Sequence, residues 1–307
     1  MTPEIFAEWL RRQGHKVIRT PSSYWVEAGP RVFQAFPYHW VISPDEEEIR
    51  ELMLEQKALA LRYSTPQRSP VGSLSYHVVF ERERYTQSDL PKKARHDVKK
   101  GLSVASIEPL SLSRLASEGW DLRRDTLARQ GRSGAETELD WRRLCMSAEG
   151  LDGFEAWGAI ADGKLIAALL AFLCDGYFCI LYHQSLTEYL PFGVNNALTY
   201  VVTSTVVNRP DSRARIFYGL HSLDAPPSVD EFKFRMGYTA RPVRQRVVFH
   251  PWMRPLMNDA SHALLRAGLR LRPGHPALSK AEGMLRFYLQ GRLPLPEQSL
   301  PPPLQTD

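Results

Sequence analysis

The stretch Glu231-Phe232-Lys233-Phe234-Arg235-Met236-Gly237-Tyr238 sets a lysine between two aromatic residues at the end of a helical segment, 229–236. A glycine stops that helix ahead of a strand at 243–249. Upstream lie a short strand, 215–218, and a long apolar segment, 192–207, of helical length, with Gly193 at its start. Three strand candidates precede these, 154–161, 165–174 and 177–184, joined by Asp162-Gly163 and Asp175-Gly176. Asp-Gly pairs suit two-residue hairpin turns because both turn positions need positive φ, so the spacing predicts an antiparallel meander. Three antiparallel strands, helix, strand, helix, strand is the order on which the fold class rests.

Working outward, strands are expected at 15–19, 24–28 and 31–36, separated by Pro, Ser and Gly signals. Ser43-Pro44-Asp45-Glu46 predicts an acidic helix with Ser43 as N-cap and Pro44 in its first turn, before strands at 59–63 and 73–80. Ser88-Asp89-Leu90-Pro91 leads into a basic helix expected to stop at Gly101, followed by a strand at 104–107 and helices within 111–130 and 138–148. Beyond Pro251, helical patterns at 256–271 and 277–290 flank Arg272-Pro273-Gly274. The proline-rich end holds too little apolar surface to offset the cost of ordering, so disorder is expected over 294–307.

The 307 residues, 43% of them hydrophobic, allow one large core or two modest ones. Cys145, Cys174 and Cys179 lack metal or redox spacing and are read as reduced, so no metal is expected. No apolar run approaches the ~18 residues of a membrane span and the N-terminus lacks a signal-peptide layout, which leads to the expectation of a cytoplasmic protein. A formal charge of +5 is compatible with ordinary solubility, but Lys92, Lys93, Arg95, His96, Lys99 and Lys100 concentrate it in one segment.

The order over 103–249 resembles the GCN5-related N-acetyltransferase (GNAT) fold. The basic segment 90–101, the Pro/Asn-containing turn 189–196 and Phe232-Lys233-Phe234-Arg235-Met236-Gly237 are similar to features of its FemAB branch, which has two GNAT-like halves. The fold class is therefore expected to be α/β (α+β), a mixed, mostly antiparallel sheet flanked by helices. Residues 1–88 form a shortened first half under this reading, 89–250 the catalytic half, and 251–293 a helical extension. Around Gly193 the family's acyl-CoA loop carries Arg or Gln first and Gly or Ala last, where this chain has Leu190 and Asn195.

The resemblance implies that Phe192, Gly193, Val194, Asn195 and Asn196 meet the donor's phosphates, as a glycine and free amides at a helix start can. It implies a role for Phe232 and Lys233 in catalysis, the lysine facing an oxyanion or a phosphate. Tyr182 and His183, near the end of the third meander strand, are candidates for proton exchange, and strand alternation puts them on opposite faces. His221, Ser222 and Asp224 lie too close in one loop for a hydrolase triad, and His221 and Asp224 are assigned to the acceptor site with Lys92, Lys93 and Arg95.

The function these residues imply is an N-acyltransferase moving an acyl group from acyl-CoA, as co-substrate, to a primary amine on a small molecule or peptide. An aminoacyl-tRNA donor is the alternative, with tRNA as partner. A third reading is an inactive adaptor that binds a polyanion or membrane through 92–100 and 262–272. His262, Arg266 and Arg270 would form a basic stripe there, giving peripheral membrane contact through the C-terminal helix.

Overall fold

A computed structural model describes residues 1–132, 134–209, 215–224, 227–272 and 274–305. Its elements are α1 (Pro3–Arg12), β1 (Val17–Arg19), β2 (Tyr24–Gly29), β3 (Val32–Phe36), α2 (Glu46–Glu55), β4 (Ala60–Thr65), β5 (Ser73–Phe80), α3 (Lys92–Val104), β6 (Ser106–Leu110), α4 (Leu112–Glu118), α5 (Trp120–Arg129) and α6 (Glu138–Met146). They continue as β7 (Phe154–Ala161), β8 (Lys164–Cys174), β9 (Tyr177–Ser185), α7 (Val194–Val207), β10 (Arg215–Leu220), α8 (Pro227–Arg235), β11 (Thr239–Phe249), α9 (Asp259–Leu271) and α10 (Pro276–Gln290). Two compact units share them. One is Met1–Trp9, Val78–Gly219 and Pro227–Thr239, and the other is Leu10–His77, Leu220–Pro226 and Ala240–Asp307.

In the first unit the strands run β5-β10-β9-β8-β7-β6. The expected meander is present, with Asp162, Gly163, Asp175 and Gly176 all at φ between 48° and 77°. Strands β6 to β9 pair antiparallel, while β10 runs parallel to β9 only over Arg215↔Tyr177 to Phe217↔Cys179. Opposite β8, partners step from Ile180↔Ala171 to Tyr182↔Leu170, so Leu181 is an inserted residue, and such a bulge bends and twists the strand that holds it. Beyond it β9 leaves β10, and the chain enters α7.

Helix α7 buries Val194, Leu198, Val202 and Val206 and packs against α3, which buries Ala94, Val98 and Gly101. The expected stop at Gly101 is incorrect, because α3 continues to Val104. Gly101 is there for proximity rather than termination. A Cβ on it would lie 2.5 Å from the Gly193 carbonyl oxygen and 2.7 Å from the Ala197 Cβ, closer than packed atoms approach. Gly193, left-handed at φ 75°, caps α7 and lies equally close to the Asp97 backbone.

In the second unit the order is β1-β2-β3-β4-β11-β5, antiparallel except for the β3/β4 pair where registers are defined. Trp25, Phe33, Ile49, Leu52 and Leu61 form a core under α2. Helix α2 begins at Glu46 with Asp45, not Ser43, as its N-cap, since the Asp45 carboxylate accepts from the Glu48 amide at 2.7 Å. The tail also departs from expectation. Gln298 is buried, accepts from the Leu74 amide at 2.9 Å and donates to the Leu293 carbonyl at 2.9 Å, so a single glutamine anchors a segment whose composition reads as disordered. No helix among the described residues is long and apolar enough to cross a membrane.

The glycine contact yields a direct test. Gly101→Ala is expected to lose about 1–3 kcal/mol by overpacking in urea unfolding. Leu102→Ala, at an exposed position of the same helix, should stay within about 0.5 kcal/mol of the parent.

Candidate active site

Where β9 and β10 part, the first unit gathers polar side chains in an otherwise apolar setting. His183 hydrogen-bonds through Nδ1 to the Tyr218 hydroxyl, one strand over. Lys233, buried on α8, donates to Asp230 at 2.7 Å, an i, i+3 pair on the helix, and its ammonium stands 5.1 Å from the Tyr218 ring centroid. The Phe232 ring packs beside His183 with centroids 6.3 Å apart. Tyr85 fixes the end of α8 by donating to the Met236 carbonyl at 2.6 Å, and the Asn196 amide meets the Met236 sulfur at 3.3 Å.

Three buried polar atoms here meet no partner in good hydrogen-bond geometry, His183 Nε2, Asn195 Oδ1 and Thr199 Oγ1, although Asn195 interacts with His183 and Thr199 with Tyr218. Asn195 and Thr199 lie one turn apart on α7, near enough to His183 and Tyr218 respectively to influence their titration. A poorly made buried hydrogen bond costs up to about 1–3 kcal/mol, so a histidine with one such atom of its own and two beside it marks a place where a polar guest would recover that energy.

Burial, aided by the positive charges of Lys233 and Arg129, pushes the His183 pKa down to about 4. The imidazole is therefore neutral at pH 7. Burial pushes the Tyr218 phenol well above its usual range, so Tyr218 remains protonated. Two arrangements satisfy the pair. The phenol donates to Nδ1, leaving an N–H at Nε2, or it accepts from Nδ1–H, leaving a lone pair at Nε2. In the second, Thr199 Oγ1 is the acceptor at hand for the phenol proton. A neutral imidazole, a lysine ammonium and the start of α7 together can hold developing negative charge on an oxygen and remove a proton from a nitrogen.

Of the side chains expected in catalysis, His183, Phe232 and Lys233 come together, and Asn195 joins them. Tyr182 lies on the opposite face, edge-on to Trp141 and under Arg123 at 5.0 Å. At the turn, Phe192 is exposed beneath Lys100, whose ammonium stands 5.2 Å from its ring and donates to the Pro191 carbonyl at 2.9 Å, while Val194 is buried. Lys92, Lys93 and Lys99 are exposed on α3, whereas Arg95 turns back to the Leu90 carbonyl at 3.0 Å. His221 and Asp224 belong to the second unit, where His221 stacks on Tyr76 and bonds Ser75, and Asp224 accepts from Ser222. The sequence reading missed Tyr218, Thr199 and Asp230. Only Asp230, three residues before Lys233, leaves a spacing signal. A concavity of about 730 Å³ in this unit, beside Asp121, Asp125 and Glu188, shares no side chain with the cluster.

No family model and no curated protein matches this sequence. Among solved structures the chain is similar to FemX, with a TM-score of 0.54 and 9% identity, covering 81% of this chain and 92% of that one. It is similar to L-PGS from Bacillus licheniformis (TM-score 0.50, 12% identity, covering 89% and 97%). A third is the C-terminal domain of a protein described as a lysylphosphatidylglycerol synthetase from Agrobacterium fabrum (TM-score 0.52, 12% identity, covering 86% and 91%). The fold is thus a GNAT-like double-domain fold, as the residue pattern implied.

His183 should remain neutral from pH 8 to 5 and protonate near its lowered value in a histidine NMR titration. Its pKa lies below the ordinary 6.5, so the native state binds fewer protons than the unfolded chain between those values. The stability this confers is full above pH 6.5 and is lost as pH falls through about 4. His183→Gln should flatten that acid limb in thermal melts.

Proposed function

We propose that this chain is an amide-forming acyltransferase whose reaction centre is the His183, Tyr218, Asn195 and Lys233 cluster. The observation that supports it best is the set of buried polar atoms in poor hydrogen-bond geometry at and beside a neutral histidine, at the point where the sheet opens beside a helix start. In this reading a donor carbonyl lies near the start of α7. Its oxygen gains negative charge as an amine attacks, and Lys233 stabilises that charge with a proton not committed to Asp230. The attacking nitrogen becomes acidic once bonded to carbon, so an imidazole of low basicity suffices to take its proton at Nε2. The donor's leaving group departs with the bonding pair. No covalent enzyme intermediate is needed.

Within that class the packing at Gly193 favours an aminoacyl ester on tRNA over an acyl thioester of coenzyme A. A pyrophosphate loop needs open backbone at its glycine, whereas this glycine faces the α3 main chain. Leu190 and Asn195 replace the loop's outer residues. Helix α3 adds exposed Lys92, Lys93 and Lys99, suited to nucleic-acid phosphates. The similarity to FemX agrees with this reading at the level of fold.

Purified protein should be offered aminoacyl-tRNA and acyl-CoA separately with a panel of amines, and products read by mass spectrometry. Amide from the tRNA donor, reduced about 10²–10³-fold in kcat/KM by Lys233→Gln with an unchanged near-UV spectrum, is the expected result. Lys92, Lys93 and Lys99 changed together to Ala should weaken tRNA binding more than about tenfold and lessen its salt slope by about 2–3. Amide from acyl-CoA with unaltered tRNA affinity would move the donor to the thioester, and no product from either would leave the adaptor reading.

A further inference from the structure

Helix α9 in the second unit has two apolar faces, and only one is covered. Leu265 and Leu269 are half-buried on the side that meets α10, where His262 bonds Glu282 at 2.8 Å and Gly268 approaches Leu278. His262 therefore leaves the basic stripe expected with Arg266 and Arg270. On the other side Ala260, Ala263, Leu264, Ala267 and Leu271 are all exposed, Leu264 to 73% and Leu271 to 84%. At ~100° per residue these five fall within an arc of about 100°, a continuous stripe. Arg266 and Arg270, also exposed, flank its edge.

The turn before the helix repeats this chemistry. Residues Pro251–Leu256 form a short 3₁₀ helix in which Met253 packs on the core while Trp252 and Leu256 stand exposed. Arg254 on the same turn lines a cavity of about 530 Å³ with Arg292, Phe287 and Tyr288. A third guanidinium there, that of Arg246, is already paired with Glu46. From 251 to 272 the sequence holds four arginines and one acidic residue, Asp259.

We propose that this surface, Trp252 and Leu256 with the outer face of α9, docks the protein onto an anionic phospholipid membrane. The apolar stripe would enter the acyl boundary and the tryptophan the headgroup layer. The flanking arginines would meet lipid phosphates, with the Arg254 and Arg292 recess taking a headgroup. Charge selects this occupant. A second copy would bring the same arginines against these, and a neutral apolar partner would leave them unmatched. The proposal does not depend on the transfer reaction.

The test is flotation of the full chain with vesicles of phosphatidylcholine, with and without added phosphatidylglycerol. About tenfold or greater preference for the anionic vesicles, reversed by salt, is expected. Leu264→Asp with Leu271→Asp should lower that binding about tenfold or more. Both sites are solvent-exposed, so the melting temperature should be unchanged. Arg254→Ala with Arg292→Ala should remove the anionic preference. Failure of the parent protein to float, or binding unaffected by the aspartates, would overturn the proposal. So would light scattering that shows a dimer which the aspartates dissociate.

Discussion

The first unit depends on the absence of two β-carbons. Gly101 and Gly193 let the backbones of α3 and α7 approach until one helix's main chain touches the other's cap, and no other residue type fits either position without displacing one of the helices. That contact fixes where α7 begins. It thereby determines where Asn195 and Thr199, in its first and second turns, meet the strands below. The same closeness brings Lys100 over Phe192 and commits the basic helix to the turn that would otherwise be open to a phosphate group.

The site itself is an economy of charge. Its one cation is held against a carboxylate, its histidine is kept neutral by burial and by that cation, and its phenol is kept protonated. None of these groups is reactive alone. Their arrangement leaves a lone pair or a proton at Nε2 according to which way the Tyr218 hydroxyl turns, so whether that nitrogen accepts or donates is set by a rotor.

Much of the fold was legible because local chemistry specified it. The Asp-Gly turns demand positive φ and give a meander, and the lysine between two phenylalanines closes a helix whose glycine sends the chain into β11. What escaped reading was tertiary. A glycine within a helix reads identically whether it ends the helix or admits a neighbour, so Gly101 was assigned the wrong role. Gln298 is an ordinary polar residue until its amide finds the Leu74 and Leu293 backbones. Tyr218 is one aromatic in a short strand, and nothing along the chain connects it with His183, 35 residues earlier. Lys233 and Phe232 stood out by sequence, and their partner Asp230 was within reach by helical spacing.

The inserted Leu181 has a consequence for what the site tolerates. Cross-strand partners share a face, so Ile180 and His183, opposite Ala171 and Leu169, point the same way although two residues rather than one lie between them. Were Leu181 instead paired in register, regular alternation would send the imidazole toward Trp141 and Arg123 and carry Tyr182 to the side of Tyr218. The make-up of this surface is thus encoded partly in which residue stands unpaired. A variant that keeps both the histidine and the tyrosine but straightens the bulge would retain the letters of this cluster and not its geometry.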